Sequence, residues 1–331
     1  MKIAIETLRE TTKRAILAQG YSEDDTNIIT DIILYAQLRG NNQNVIKLTG
    51  AGMPADPRAG DITIVKETKL SAVIDGSWNQ GMVVMTQATE MSIAKARDHG
   101  FGIVGTRKTK SSTGAIGYYA RQIADAGLIG FIFSGSSEFM AMHGSYDPFF
   151  GTNPLAIGIP TAEKPIVFDM ATAAIAYYGI LGAKTAGESI PDDVAYDVDG
   201  NITTDPAQAL AGAIKTFGGY KGAALALIVE VLTRPLVGTS RNEDGTKDDW
   251  GNLVFAIDPE LLVDDLNELQ VGVSDLIARL KTKKTLPNVD EILVPGERGD
   301  KFYDEVMAAG EIEIDSNLWR DLNAVADKGG A

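Results

Sequence analysis

This chain contains no cysteine. Disulfides, thiolate nucleophiles and cysteine-ligated metals are therefore outside its chemistry. Histidine is almost as scarce: His99 and His143 are the only two in 331 residues. A zinc or iron centre built on paired histidines is not expected, and no metal site is assigned. Positive charge is also short. The 30 Lys and Arg stand against 45 Asp and Glu, a net charge of −15. That balance argues against nucleic acid, whose phosphates need clustered cations, and against anionic membrane surfaces. No apolar run reaches the ~20 residues of a membrane span. The first ten residues carry acidic side chains and no long apolar stretch, so they do not read as a secretory signal. A cytoplasmic location is the expectation.

What is present is an apolar fraction of 44%, enough for a sizeable core. A small anionic substrate is compatible with the acidity, because a site needs only local positive charge. Helical spacing predicts helices over 5–19 and 23–39, with Ser22 and Asp25 as a capping signal. Strands are expected at 70–75, 101–104, 128–133 and 253–257. Helices are expected at 81–96, 114–126, 173–186, 264–281, 300–309 and 315–326. Residues 222–233 form the most apolar helix and read as core. The stretch 241–249 reads as a mobile polar loop. Gly100-Phe-Gly-Ile-Val-Gly105 matches the dinucleotide fingerprint G-x-G-x-x-G in letters, but a helix precedes it and it is itself the strand. Thr106 to Thr113 reads as a loop with three cations and five hydroxyls, a place for a phosphate or carboxylate at the entry of a helix. The pattern is α/β without regular βαβ alternation, so a standard Rossmann domain is not expected.

The most informative stretch is Phe149-Phe-Gly-Thr-Asn-Pro-Leu-Ala-Ile-Gly-Ile-Pro160, continuing through Pro165-Ile-Val-Phe-Asp-Met-Ala-Thr172. It predicts two short paired strands whose polar ends can hold a ligand beside backbone groups. With Tyr118-Tyr-Ala120, Asp199-Gly-Asn-Ile-Thr-Thr-Asp-Pro206 and Gly218-Gly-Tyr-Lys-Gly222, it gives five motifs in order. Together they resemble the type-2 malate/L-lactate dehydrogenase family over about residues 3 to 326.

The resemblance implies a non-Rossmann NAD(P)-binding mixed sheet with helical N- and C-terminal segments. It implies a homodimer and hydride transfer to a small 2-oxo or imino acid. Residues 1–62 and 285–331 are then helical, dimerising and substrate-capping segments around a cofactor-binding core, 63–284. NAD or NADP is expected against Ile166, Val167, Phe168, Asp169, Met170 and Ala171, against Tyr220 and Lys221, and against Gly296, Glu297 and Arg298. Arg107, Lys108 and Arg298 are candidates for a 2′-phosphate contact. The substrate is expected near Lys47, Lys110, Thr152 and Asn153.

Two segments depart from the family pattern. The family's Ser-His-Gly-Val-x-Arg segment reads Asn42-Gln-Asn-Val-Ile-Lys47 here, one residue shorter. Gln43 stands about where the acid/base histidine belongs, and Lys47 where the arginine belongs. A second family histidine is replaced by Ser112. Glutamine cannot deliver a proton, and losing such a donor commonly costs ~10²–10⁴-fold in rate. Lys47 can still hold a carboxylate, without the bidentate fork of arginine. His143, in the loop before Gly151, is the obvious substitute donor, with Tyr146 and Lys110 behind it. An iminium substrate brings its own proton and suits the loss better than a ketone. Three readings follow: a redox enzyme with an altered proton donor; a lyase or hydrolase on a small carboxylic acid, drawing on Lys47, Lys110, Ser112, His143 and Asp147; and a catalytically silent ligand-binding homologue.

Overall fold

The computed structural model describes residues 1–239 and 249–330. It opens with a three-residue strand, β1 (Lys2–Ala4), and the helices α1 (Ile5–Leu17) and α2 (Glu23–Gln37). Ser22 works as the sequence suggests: its Oγ accepts the Asp25 N–H at 3.1 Å, satisfying a donor that a helix start leaves open. Residues Val45–Leu48 make a single 3-10 turn, capped by Asn44 Oδ1 accepting the Ile46 N–H at 3.1 Å.

Strands β2 (Thr63–Glu67), β3 (Ser71–Asp75), β4 (Phe101–Thr109) and β5 (Ile129–Ser134) follow, interleaved with helices α3 (Gly81–His99) and α4 (Gly117–Asp125). Two short strands, β6 (Met140–Ala141) and β7 (Pro148–Phe150), precede the expected pair β8 (Leu155–Ile159) and β9 (Ile166–Met170). Next come α5 (Tyr177–Ala186), β10 (Ala195–Tyr196), α6 (Pro206–Ala211), β11 (Ala213–Ile214) and α7 (Tyr220–Thr233). The chain closes with β12 (Trp250–Ile257), α8 (Leu266–Lys281), α9 (Glu297–Ala309), β13 (Glu311–Glu313) and α10 (Ser316–Ala326).

The main sheet has seven strands in the order β2-β3-β4-β12-β5-β8-β9. The pair β3–β4 is parallel and every other neighbouring pair is antiparallel. This mixed α/β sheet is not the doubly wound parallel sheet of a Rossmann domain. Helices α3 and α4 pack on it at very close range. A Cβ at Gly102 would lie 2.2 Å from the Ser92 carbonyl oxygen, and one at Gly158 would lie 2.0 Å from that of Ala120. The glycines of the false fingerprint thus serve packing, and Gly100 ends α3 at φ +81°. A four-stranded sheet, β10-β11-β6-β7, has a separate core around Met140, Phe150, Ile180 and Ile214. β1 pairs with β13, tying the two ends together.

Three expectations need correction. Residues 106–109 are strand and not loop, because β3 and the distant β12 both pair with them. Helix α5 starts at Tyr177 and not at 173, because Ala173 bridges to Thr216 and the Ala174 N–H donates to the Lys215 carbonyl. Helix α7 is not wholly core: Ala223, Ala226 and Val229 are buried, while Leu227, Ile228 and Val231 are exposed. Of the polar stretch 241–249, only Asp249 lies within the described residues.

Candidate active site

A cavity of about 570 Å³ opens where loops from both sheets meet. Asn41 to Gln43 enter it from the end of α2, and Lys110 to Ile116 from the link between β4 and α4. Ser134 and Ser136 come from the end of β5, and Thr152 and Pro154 from the loop before β8. Asp169 to Ala171 come from the end of β9, and Tyr177 and Tyr178 from the first turn of α5. The Ser136 hydroxyl is buried, borders the cavity and has no hydrogen-bond partner among the described residues.

The 3-10 turn aims Lys47 at this wall from behind. Its side chain is 2% exposed. The ammonium donates to Ser112 Oγ at 2.6 Å and lies 3.6 Å from the centre of the Tyr178 ring. No carboxylate among the described residues pairs with it, and burial alone holds its pKa well below the ordinary lysine value. Lys47 was expected to reach a substrate carboxylate. It sits behind Ser112, and the serine, not the lysine, borders the cavity.

Asp169 faces the cavity from β9. Its Oδ2 accepts the Gly117 N–H at the start of α4, at 2.9 Å. The carboxylate is exposed by area because it opens into the cavity, yet protein surrounds it on its other sides. Desolvation pushes its pKa up to about 6, and the Gly117 hydrogen bond opposes the shift. Lys110 borders the same cavity, 3.8 Å from Asp56.

The other expected residues separate. Asn153 is fully buried and turned away, its Nδ2 donating to the Ala226 carbonyl and to Glu230. Arg107 and Lys108 pair with Asp75 at 3.4 Å and 3.0 Å, and Arg298 is exposed. His143 and Tyr146 lie exposed on the loop between β6 and β7, outside the cavity lining. The His143 ring is 6.5 Å from that of Tyr220, which with Lys221 is exposed at the start of α7.

β9 is an edge strand, and its outer side carries the loop before α9. The Val167 N–H donates to the Pro295 carbonyl at 3.3 Å. Gly296, at φ +91°, lies so close that a Cβ would stand 3.0 Å from the Val167 oxygen. Glu297 pairs with Lys281 and accepts the Val294 N–H at 3.0 Å. Ile166 and Glu297 line a second cavity, about 750 Å³, between β9, α8 and α9. Phe168 is half-buried. Tyr178, Ser136 and Trp250 went unread as site residues. A paired Tyr177-Tyr178 at a helix start was the available signal for the first; the others depend on strand order alone.

The profile of the malate/L-lactate dehydrogenase family matches residues 3–323. The chain is similar to the L-sulfolactate dehydrogenase of Methanothermobacter thermautotrophicus, 35% identical over 98% of this chain and 96% of that protein. It is similar over a shorter span to Delta(1)-pyrroline-2-carboxylate reductase 1 of Burkholderia ambifaria, 41% identical over 46% of this chain and 47% of that one. Its fold matches the sulfolactate dehydrogenase of Methanocaldococcus jannaschii with a TM-score of 0.82 and 32% identity, covering 100% of this chain and 98% of that structure. With a mixed sheet of this kind, a cavity at the end of β9 and a match along nearly all of its length, the chain belongs to the malate/L-lactate dehydrogenase family and is an oxidoreductase.

Proposed function

We propose that this protein transfers hydride between a nicotinamide dinucleotide and a small 2-oxo or cyclic imino carboxylic acid, using a proton donor other than histidine. The observation that carries the reading is β9. Its start borders one cavity and its end the other, so five residues at about 3.4 Å each link two pockets. An extended dinucleotide fits such a strip. The Ser136 hydroxyl, without a partner among the described residues, offers a polar group, and residues 166–171 and 296–298 would hold the cofactor, with Tyr220 and Lys221 beyond them. When bound, the nicotinamide ring supplies or accepts the hydride. The names of the relatives, which include malate, sulfolactate and pyrroline-carboxylate enzymes, support a small carboxylic acid as substrate. Lys110, Thr152 and Gln43 border the space where it would lie. We also propose a cytoplasmic homodimer; among the described residues no helix is long and apolar enough to cross a membrane.

A lyase or hydrolase reaction is the second reading. The Lys47–Ser112 contact favours it, because a serine beside a lysine is a nucleophile and base in reach of each other. Fluorescence titration with NADH and NADPH separates the two. One nucleotide is expected to bind with a dissociation constant below about 1 mM, and no binding of either sinks the redox reading. The bound form is then offered pyruvate, oxaloacetate and Δ1-piperideine-2-carboxylate; turnover of at least one is expected, and binding without turnover leaves a silent homologue.

A further inference from the structure

Two residues stand where the family pattern carries a histidine and an arginine, and here they touch. Lys47 Nζ donates to Ser112 Oγ at 2.6 Å, and the Gly114 N–H donates to the same oxygen at 3.1 Å. Both lone pairs of the hydroxyl are then engaged, which leaves its one hydrogen for a third direction. Ser112 borders the cavity, whereas Lys47 does not. A molecule in the cavity therefore meets the Ser112 O–H as a donor, with the ammonium behind it. We infer that Ser112 is the catalytic group that protonates the substrate oxygen, and that Lys47 positions it and refills it with a proton. The inference rests on the redox reading above.

The step balances. Hydride from the reduced nicotinamide dinucleotide forms the new C–H bond at the carbonyl carbon, so the dinucleotide is oxidised and the substrate reduced. The C=O π pair moves onto the oxygen, which takes the Ser112 proton. The serine oxygen takes a proton from Lys47 Nζ in the same movement. Lys47 is left as a neutral amine and regains its proton from water after product leaves. Oxidation of the hydroxy acid runs the same path backwards, starting from the neutral amine.

The surroundings suit a lysine that changes charge. Helices α1, α2, α5 and α10 pack around its turn. From α5, Tyr178 offers its ring face, which favours the cation modestly. From α1, α2 and α10 no carboxylate pairs with Nζ; Arg9–Asp31, Arg14–Asp327 and Arg320–Asp321 pair with each other at the surface. Lys110 and Asp169 border the cavity, which Lys47 does not. Burial then favours the neutral amine, which makes the ammonium a better acid than an ordinary lysine.

The test uses the full chain labelled with [ε-13C]lysine and titrated by NMR. One lysine resonance is expected to titrate below all the others, to vanish in Lys47→Arg and to move in Ser112→Ala. If every lysine titrates together near the usual value of about 10.4, the inference is overturned. Kinetics then use whichever 2-oxo acid the wild type reduces. Ser112→Ala is expected to lower kcat by about 10²–10⁴ with KM changed less than tenfold, and to lose far less on the cyclic iminium, which needs no proton. Lys47→Arg is expected to be slow and to lose the fall in reduction rate at alkaline pH, because a guanidinium does not release its proton. Unchanged kcat in Ser112→Ala overturns the relay alone. A wild type that binds nucleotide but reduces nothing in the panel overturns the redox reading and the relay with it.

Discussion

At the scale of single residues, Asp169 carries a penalty that pH can expose. Its pKa is raised to about 6 by desolvation, above the ordinary 3.8. The native state therefore binds a proton more readily than the unfolded chain does, and the ionised form disfavours folding. The sign follows: the cost is fully present above pH 6, shrinks as pH falls towards 3.8 and is gone below it. Asp169→Asn keeps an acceptor for the Gly117 N–H and removes the charge. It is expected to raise the melting temperature at pH 8 and to converge on the wild type near pH 4. A difference independent of pH would show that desolvation of the carboxylate is not the cause. The sequence named Asp169 as part of a cofactor-binding run, but its partner is 52 positions away, so its environment was not legible. Lys47 is a similar case. Its charge could be read from the chain, whereas its retreat behind Ser112 depends on the 3-10 turn.

At the scale of elements, α7 clamps two loops of the cavity. Asn153, held at φ +39°, donates to Glu230 Oε2 at 2.8 Å. Glu230 pairs with Arg234 at 2.6 Å, and Arg234 donates to the Ser136 carbonyl at 2.7 Å. Both charged side chains are buried. Glu230→Gln removes the carboxylate that pairs with the guanidinium among the described residues, and removing one partner of such a pair costs about 3–5 kcal/mol. Chemical denaturation is expected to show that loss, and Glu230→Leu with Arg234→Met to recover most of it. A single mutant as stable as the wild type would mean that the clamp is unnecessary. The sequence had read α7 as a buried apolar helix. Its hydrophobicity is real, but a helix that is apolar all round does not say which side is covered. The β8–β9 pair was fully legible, because alternating apolar runs joined by a short turn specify their own pairing. Residues 106–109 were misread because their partners come from elsewhere in the chain.

At the scale of the whole molecule, the strand order had no signature in the sequence. β12 enters the centre of the sheet between β4 and β5, well over a hundred residues after either, against the usual tendency of successive strands to be neighbours. The resemblance to a family made the architecture legible where local patterns did not. The same scale leaves apolar surface unexplained by one copy of the chain. Helix α8 is amphipathic, yet none of its residues is buried, and Leu227, Ile228 and Val231 of α7 are exposed. Each large aliphatic side chain gains about 1.5–3 kcal/mol on full burial. A second copy covering these faces would offset the repulsion between two chains of net charge −15. Sedimentation velocity at micromolar concentration is expected to show a dimer, and a monomer there would refute the proposal. Repulsion is screened over about 8 Å at physiological salt, so association should tighten as salt rises. Ile228→Lys places a charge where the partner is expected. A burial cost of about 3 kcal/mol or more would weaken the dimer at least ~100-fold while leaving the protomer folded, since that side chain already faces solvent in one copy. A dimer indifferent to the substitution would move the interface away from α7 and leave the α8 face to carry it.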